Sequence, residues 1–361
     1  MDQLGTLLSD CTGGHRLSPD EAISLFRVTG RDLFRVAAAA DEQREVRAGD
    51  PITFVRNQNI NCTNICVNRC GFCGFSRGPD DVDAYLLSPD DLRQQARLAV
   101  QRGVTEICTV SGLHPGYTLD SYLEIFRTIR SAAPKVHIHA SNPMEVAYAA
   151  QKSGCSTGEV LDAFKGAGVG TFCGTAAEIL SDPVREVICP GKISTAEWVS
   201  IIREAHMAGI PSTATIMYGH CETDADRATH LQIIRDIQDE TRGFIEFVPL
   251  SFVHQKTRLY MDGAASPGAT GREDILMTAV SRLFLDNFTH IQTSWVKVGV
   301  KMAQLCLVSG ANDLGGTLYE ESISREAGGT SGSYLNPEEM THVARDLKRP
   351  LKERRTDYSQ I

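Results

Sequence analysis

From Pro51 to Leu314 the chain alternates short apolar, β-branched runs with longer segments of helical period. Strand-like runs fall at 52–60, 104–110, 135–140, 169–173, 211–218, 244–249 and 290–295, and a short eighth falls at 311–314. Helical stretches at 88–102, 119–131, 157–167, 195–208, 225–239, 272–288 and 295–309 lie between them. Strands alternating with helices imply a parallel sheet with right-handed crossovers. Seven or eight such units in succession predict an α/β protein of the closed (β/α)8 type. The rival is an open doubly wound sheet, and it lacks the Gly-rich dinucleotide fingerprint after the first strand. Two helices precede the barrel. One starts at the N-cap Ser18 with Pro19 in its first turn, and the other spans about Arg31 to Glu45. The expected organisation is an N-terminal helical cap over residues 1–50, a barrel over 51–325 and a helical extension or tail over 326–361.

In such a barrel the chemistry gathers at the C-terminal ends of the strands. The loop after the first strand reads NCTNICVNRCGFCG, with Cys66, Cys70 and Cys73 spaced C-x3-C-x2-C. Thiolate-rich sites select iron–sulfur clusters or zinc, and both normally carry four ligands. Here the motif stops at three. A cubic cluster on three cysteines keeps one iron open to a small-molecule ligand. The competing reading is a structural zinc knuckle or unrelated buried thiols, but no second Cys/His couplet of zinc type accompanies the loop.

Composition narrows the surroundings. A formal charge of −9 argues against nonspecific nucleic-acid binding. No uninterrupted apolar run is long enough to span a membrane, and residues 1–14 lack the basic-then-apolar order of a signal peptide. Eleven scattered cysteines fit a reducing cytosol better than a disulfide framework. Cys108, Cys155, Cys173, Cys189 and Cys306 read as small core hydrophobes.

Other polar residues fall at strand ends. His137 and His139 lie two apart on the third strand and so share a face. A metal pair, a hydrogen bond to substrate and a buried partner are all open to them. Glu178 follows the fourth strand and reads either as a ligand contact or as a carboxylate favoured by a helix N-terminus.

The C-x3-C-x2-C loop, with Phe72 before its third cysteine, resembles the signature of radical S-adenosylmethionine (SAM) enzymes. That resemblance implies a 4Fe–4S cluster on Cys66, Cys70 and Cys73, with SAM on the fourth iron. It also implies SAM contacts at Phe72, Gly112 and Glu178. Within the superfamily, residues 59–66, 137–140, 174–180, 188–192, 213–220 and 311–317 resemble the CofH family, the second subunit of the system that makes the deazaflavin FO. The likeness covers about residues 45 to 330 and departs from the family pattern at Cys62, at Thr109–Ser111 and at Cys173.

The resemblance implies a transferase of coenzyme F420 biosynthesis. Its substrates are L-tyrosine, cleaved at Cα–Cβ, and 5-amino-6-(D-ribitylamino)uracil, which takes the 4-hydroxybenzyl fragment. A low-potential electron donor and the partner enzyme CofG are implied with it. Substrate contacts are expected among His137, His139, Tyr218, His220, Thr293, Asn312 and Asp313. The alternative is a radical SAM enzyme of the futalosine route to menaquinone, of the aminofutalosine synthase or cyclic dehypoxanthine futalosine synthase type.

Overall fold

The computed structural model describes residues 2–359. Its parallel pairings run in a ring. Ile52–Val55 continues as Asn57–Asn59, which pairs with Glu106–Thr109, and that strand pairs with His137–Ala140. The fourth strand is reduced to two bridges, Thr171 to His139 and Phe172 to Ser212. Ser212–Tyr218 then pairs with Phe244–Ser251. The seventh strand is again a pair of bridges, Ile291 to Phe247 and Gln292 to Asp313. Asp313–Gly316 closes the ring on Thr53 and Val55. This is the closed (β/α)8 barrel that the alternation predicts, and every expected strand has its place in it. Ser212–Tyr218 is buried along its whole length, as a parallel strand covered on both faces requires.

A further strand completes one end. Leu351–Arg354 pairs in parallel with Ile52–Val55, on the edge opposite Asp313–Gly316. The chain beyond 326 thus contributes a helix, Pro337–Asp346, and a strand. Side chains from this segment enter the N-terminal end of the barrel. Arg354 Nε donates to Asp313 Oδ2 at 2.5 Å and its Nη2 to Glu246 Oε2 at 3.1 Å. Thr356 Oγ1 donates to Glu106 Oε2 at 2.8 Å, and the Tyr358 ring stacks on His290 with centroids 3.5 Å apart.

The surrounding helices start where their caps dictate. Ser18 and Glu21, and likewise Ser88 and Asp91, form reciprocal capping boxes with Pro in the first turn. Pro89–Gln101 turns Leu92, Ala96 and Ala99 inward, one apolar stripe at helical spacing. The N-terminal helices Pro19–Phe26 and Arg31–Ala48 lie against the outer wall, on Gly271–Phe284. That helix is buried from Asp274 to Phe284, because it has the barrel on one side and the N-terminal helices on the other. Its Arg282 donates to Gly310 O and Asn312 Oδ1, and burial pulls its guanidinium down to about 9.

Helices outside the predicted set include Gln3–Thr12, Pro143–Ser153, Asp182–Ile188 and the short Arg258–Met261. The helical stretch expected at 295–309 breaks at Gly299, where φ is 82°. Among the described residues no helix is long and apolar enough to cross a membrane.

Candidate active site

A cavity of about 400 Å³ occupies the barrel lumen and opens beneath the cysteine loop. Cys66, Cys70 and Cys73 all line it, as do Phe72, Gly112 and Glu178. The loop is tied down from several sides. Cys66 N donates to Arg77 O at 3.0 Å, Val67 N to Leu113 O at 3.1 Å and Gly71 N to Ile188 O at 3.0 Å. Two glycines let backbones approach where a side chain would not fit. A Cβ on Gly112 would lie 2.3 Å from Ile65 O, and one on Gly74 would lie 2.6 Å from Ala327 Cα.

The three thiols differ in environment. Cys66 and Cys73 are half-buried and Cys70 is buried. Burial pushes the Cys70 thiol well up, and the nearby Lys192 ammonium works against that rise. Lys192 pairs with Glu178 and stands 5.3 Å above the Phe72 ring. Burial draws the Lys192 ammonium down, but Glu178, Cys70 and Cys189 more than offset this and hold it charged.

The turn after the fourth strand places Glu178. Ala176 and Glu178 both adopt left-handed backbone, at φ 67° and 47°, which costs about 1 kcal/mol or more each without glycine. Met217 N donates to Glu178 O at 2.6 Å and helps to hold the turn in this shape.

Further charged groups enter the same cavity. Lys297 follows the seventh strand, and burial draws its ammonium down against the pull of Glu321 and Glu178. Glu321 accepts from Ser324 N and Oγ through one oxygen, while its buried Oε2 has no hydrogen-bond partner. Glu145 accepts from Asn142 Nδ2 at 2.7 Å, and burial pushes its carboxyl up to about 8, so it is mostly neutral at pH 7.

The expected substrate contacts divide. His139 lines the cavity. His137 does not; its Nε2 lies 2.8 Å from Thr171 Oγ1. Tyr218 points outward, donating to Asp274 Oδ1 at 2.8 Å. His220 packs between Glu222 and Met217 O. Thr293 is buried in the wall outside the cavity lining. Asn312 Oδ1 accepts from Arg282 and from Ile291 N. Asp313 is held by Arg354 and Thr53 at the closed end. Period-two alternation turns Tyr218 away from the lumen, since a strand-end residue can equally face the helices, whereas His137 shares the face of His139 but lies deeper, against Thr171.

Sequence reasoning missed Glu145, Lys192, Lys297 and Glu321 as site residues. Lys192 stood in a motif already noted, and Glu145 sits in the first turn of a helix whose Asn142-Pro143 start was legible. Lys297 and Glu321 carried no local signal, since folding alone brings them to the mouth. Cys108 and Cys173 line the cavity instead of filling the core between sheet and helices.

Comparison with known proteins gives the family and the fold. The profile of the Radical SAM superfamily matches residues 60–234, and that of the CofH/MqnC C-terminal region matches 241–346. The 5-amino-6-(D-ribitylamino)uracil–L-tyrosine 4-hydroxyphenyl transferase of Methanospirillum hungatei JF-1 is 65% identical over 361 residues, covering 100% of this chain and 99% of the relative. FO synthase of Mycobacterium leprae is 45% identical over 94% of this chain but only 40% of its own length. Among solved structures, the [FeFe]-hydrogenase maturase HydG superposes with a TM-score of 0.76 at 16% identity, covering 97% of this chain and 76% of that one. With its three-cysteine loop at the mouth of a closed barrel, the chain belongs to the CofH family of the radical SAM superfamily.

Proposed function

We infer that this chain is the tyrosine-dependent 4-hydroxyphenyl transferase of FO synthesis. It cleaves L-tyrosine between Cα and Cβ and joins the aryl fragment to 5-amino-6-(D-ribitylamino)uracil. The reading is supported by close relatives over the full chain that bear that name. The observation that carries it is the convergence of Cys66, Cys70, Cys73, Glu178 and Lys192 on one cavity in the barrel lumen.

The residues present fit the cofactors of the family. Three thiols face one space, and among the described residues no hydrogen bond engages their Sγ atoms. Gly74 and Gly112 leave room that a Cβ would fill. Cys66, Cys70 and Cys73 would hold the 4Fe–4S cluster, and Gly112, Phe72 and Glu178 would line the SAM site. Bound together, cluster and SAM supply a 5′-deoxyadenosyl radical.

The protein's own part is positioning and exclusion of water. Lys192 neutralises Glu178 and places positive charge beside the Cys70 thiolate. Lys297 and the unpartnered Glu321 oxygen offer complementary charges for a zwitterionic amino acid. His139 and Gln292 supply polar partners deeper in the lumen for a polyol or a uracil edge. The aryl product passes to the partner enzyme CofG, a low-potential donor reduces the cluster, and both steps belong in the cytoplasm.

The test is an anaerobic incubation of reconstituted protein with SAM, reductant, tyrosine and 5-amino-6-(D-ribitylamino)uracil. The expected result is 5′-deoxyadenosine together with a tyrosine-derived adduct of the uracil. Turnover of a futalosine-type nucleoside, with no adduct, would overturn the assignment.

A further inference from the structure

Cys108, His139 and Cys173 converge below the cysteine loop. Cys108 and His139 are register partners on neighbouring strands, and Cys173 lies two residues beyond Thr171, the partner of His139 on the next strand. One ligating atom from each lies within 4.8 Å of the other two. The two sulfurs are 3.9 Å apart. Two thiolates on one tetrahedral zinc, each about 2.3 Å from it, would be about 3.8 Å apart. The two sulfurs therefore have the spacing of ligands to a single ion, and the imidazole lies beside them.

The imidazole is already oriented for such a role. His139 Nδ1 lies 2.7 Å from Thr171 Oγ1, which leaves Nε2 as its free ring nitrogen. A ligating histidine typically has its other nitrogen fixed in this way. Nearby Glu106 is not a fourth ligand, since Asn57 and Thr356 occupy its two oxygens. All three side chains line the cavity, so the remaining coordination position faces the lumen.

We propose that Cys108, His139 and Cys173 form a second metal site, for one zinc-class ion with its fourth position open to the cavity. Two sulfurs and one imidazole select a soft or borderline cation over magnesium or calcium. Three protein ligands with an open fourth position are the pattern of a zinc site that binds substrate or water. The site uses none of the loop cysteines and shares only His139 with the substrate contacts proposed above, so its metal binding is read without substrate present.

The test uses anaerobic protein with its 4Fe–4S cluster installed and cobalt(II) as the coloured substitute for zinc. One equivalent of cobalt should bind with thiolate-to-metal charge-transfer absorption, and zinc should displace it. Thr171→Val should weaken binding by about 10- to 100-fold, as loss of an outer partner does. Cys108→Ser with Cys173→Ser should abolish the absorption while iron content persists. Cys155→Ser, outside the cavity, should change nothing. Failure of the unaltered protein to bind cobalt would overturn the proposal. So would absorption that survives the double substitution, or a Cys108–Cys173 disulfide without metal in protein kept free of oxygen. Loss of SAM cleavage, by contrast, bears only on the transferase reading.

Discussion

The two ends of the barrel bury charge in opposite ways. At the N-terminal end Arg354, Asp313, Glu246 and Glu106 each have a partner. Arg354 bridges Asp313 and Glu246, Tyr358 donates to Glu246, and Thr356 and Asn57 occupy Glu106. At the C-terminal end the charges are incompletely matched. Lys192 pairs with Glu178, but Lys297 has no ion pair among the described residues and Glu321 keeps one oxygen unbonded. A buried polar group without a partner costs about 1–3 kcal/mol, so such groups persist where something else will meet them. The first end is a plug, and we propose that the second is a binding surface.

The sharpest separation of the two ends comes from Cys70→Ala. A two-thiolate remnant cannot hold the cluster, so iron and sulfide should fall to background after reconstitution while the fold persists by circular dichroism. At the other end, Arg354→Ala should leave the carboxylates of Asp313 and Glu246 buried without their cation. The expected loss is about 3–5 kcal/mol of stability, read by urea unfolding of the cluster-free protein.

A subtler contrast is pH dependence. Burial raises the Glu145 carboxyl to about 8 in the folded state, against 4.5 for the ordinary group. The folded protein therefore holds this proton where the unfolded chain has released it. The associated stability is complete below about 4.5 and is lost as pH rises toward 8. Glu145→Gln should flatten the fall in stability between pH 5 and 8, by an amount on the order of a few kcal/mol. An unchanged slope would mean that Glu145 is ionised in the fold.

The smallest effect is expected from Cys62→Ala. Cys62 is buried against Thr109, with its sulfur 3.6 Å from Oγ1, and lies outside the cavity lining. Iron content should be normal and stability should fall by no more than about 1–2 kcal/mol. Loss of iron there would show that the wrong thiols were assigned to the cluster.

The barrel was legible because its signals are local. Strand period, Ser-Pro caps and glycine stops repeat along the chain, and even the fourth and seventh strands, reduced to bridges, keep their apolar runs. Pro143–Ser153 was not expected, although Asn142 as its cap, Pro143 in its first turn and Gly154 as its stop are local signals of the same kind. The cysteine loop was legible because ligation demands fixed residue types at fixed spacing. Which face of a strand end meets the lumen was not legible, because it depends on barrel tilt and closure. That is why Tyr218 and Asn312 were expected inside while Cys108 and Cys173 were assigned to the core. The plug was invisible for a related reason: Arg354 meets Asp313 only after the last strand returns beside the first.

The central claim is an open iron held by Cys66, Cys70 and Cys73 above the lumen. Its most direct test is the electron paramagnetic resonance spectrum of the reduced, reconstituted protein with and without SAM. The account predicts a 4Fe–4S signal whose g values shift when SAM is added. A cluster signal indifferent to SAM, or tightly bound zinc in the loop with no cluster, would contradict it.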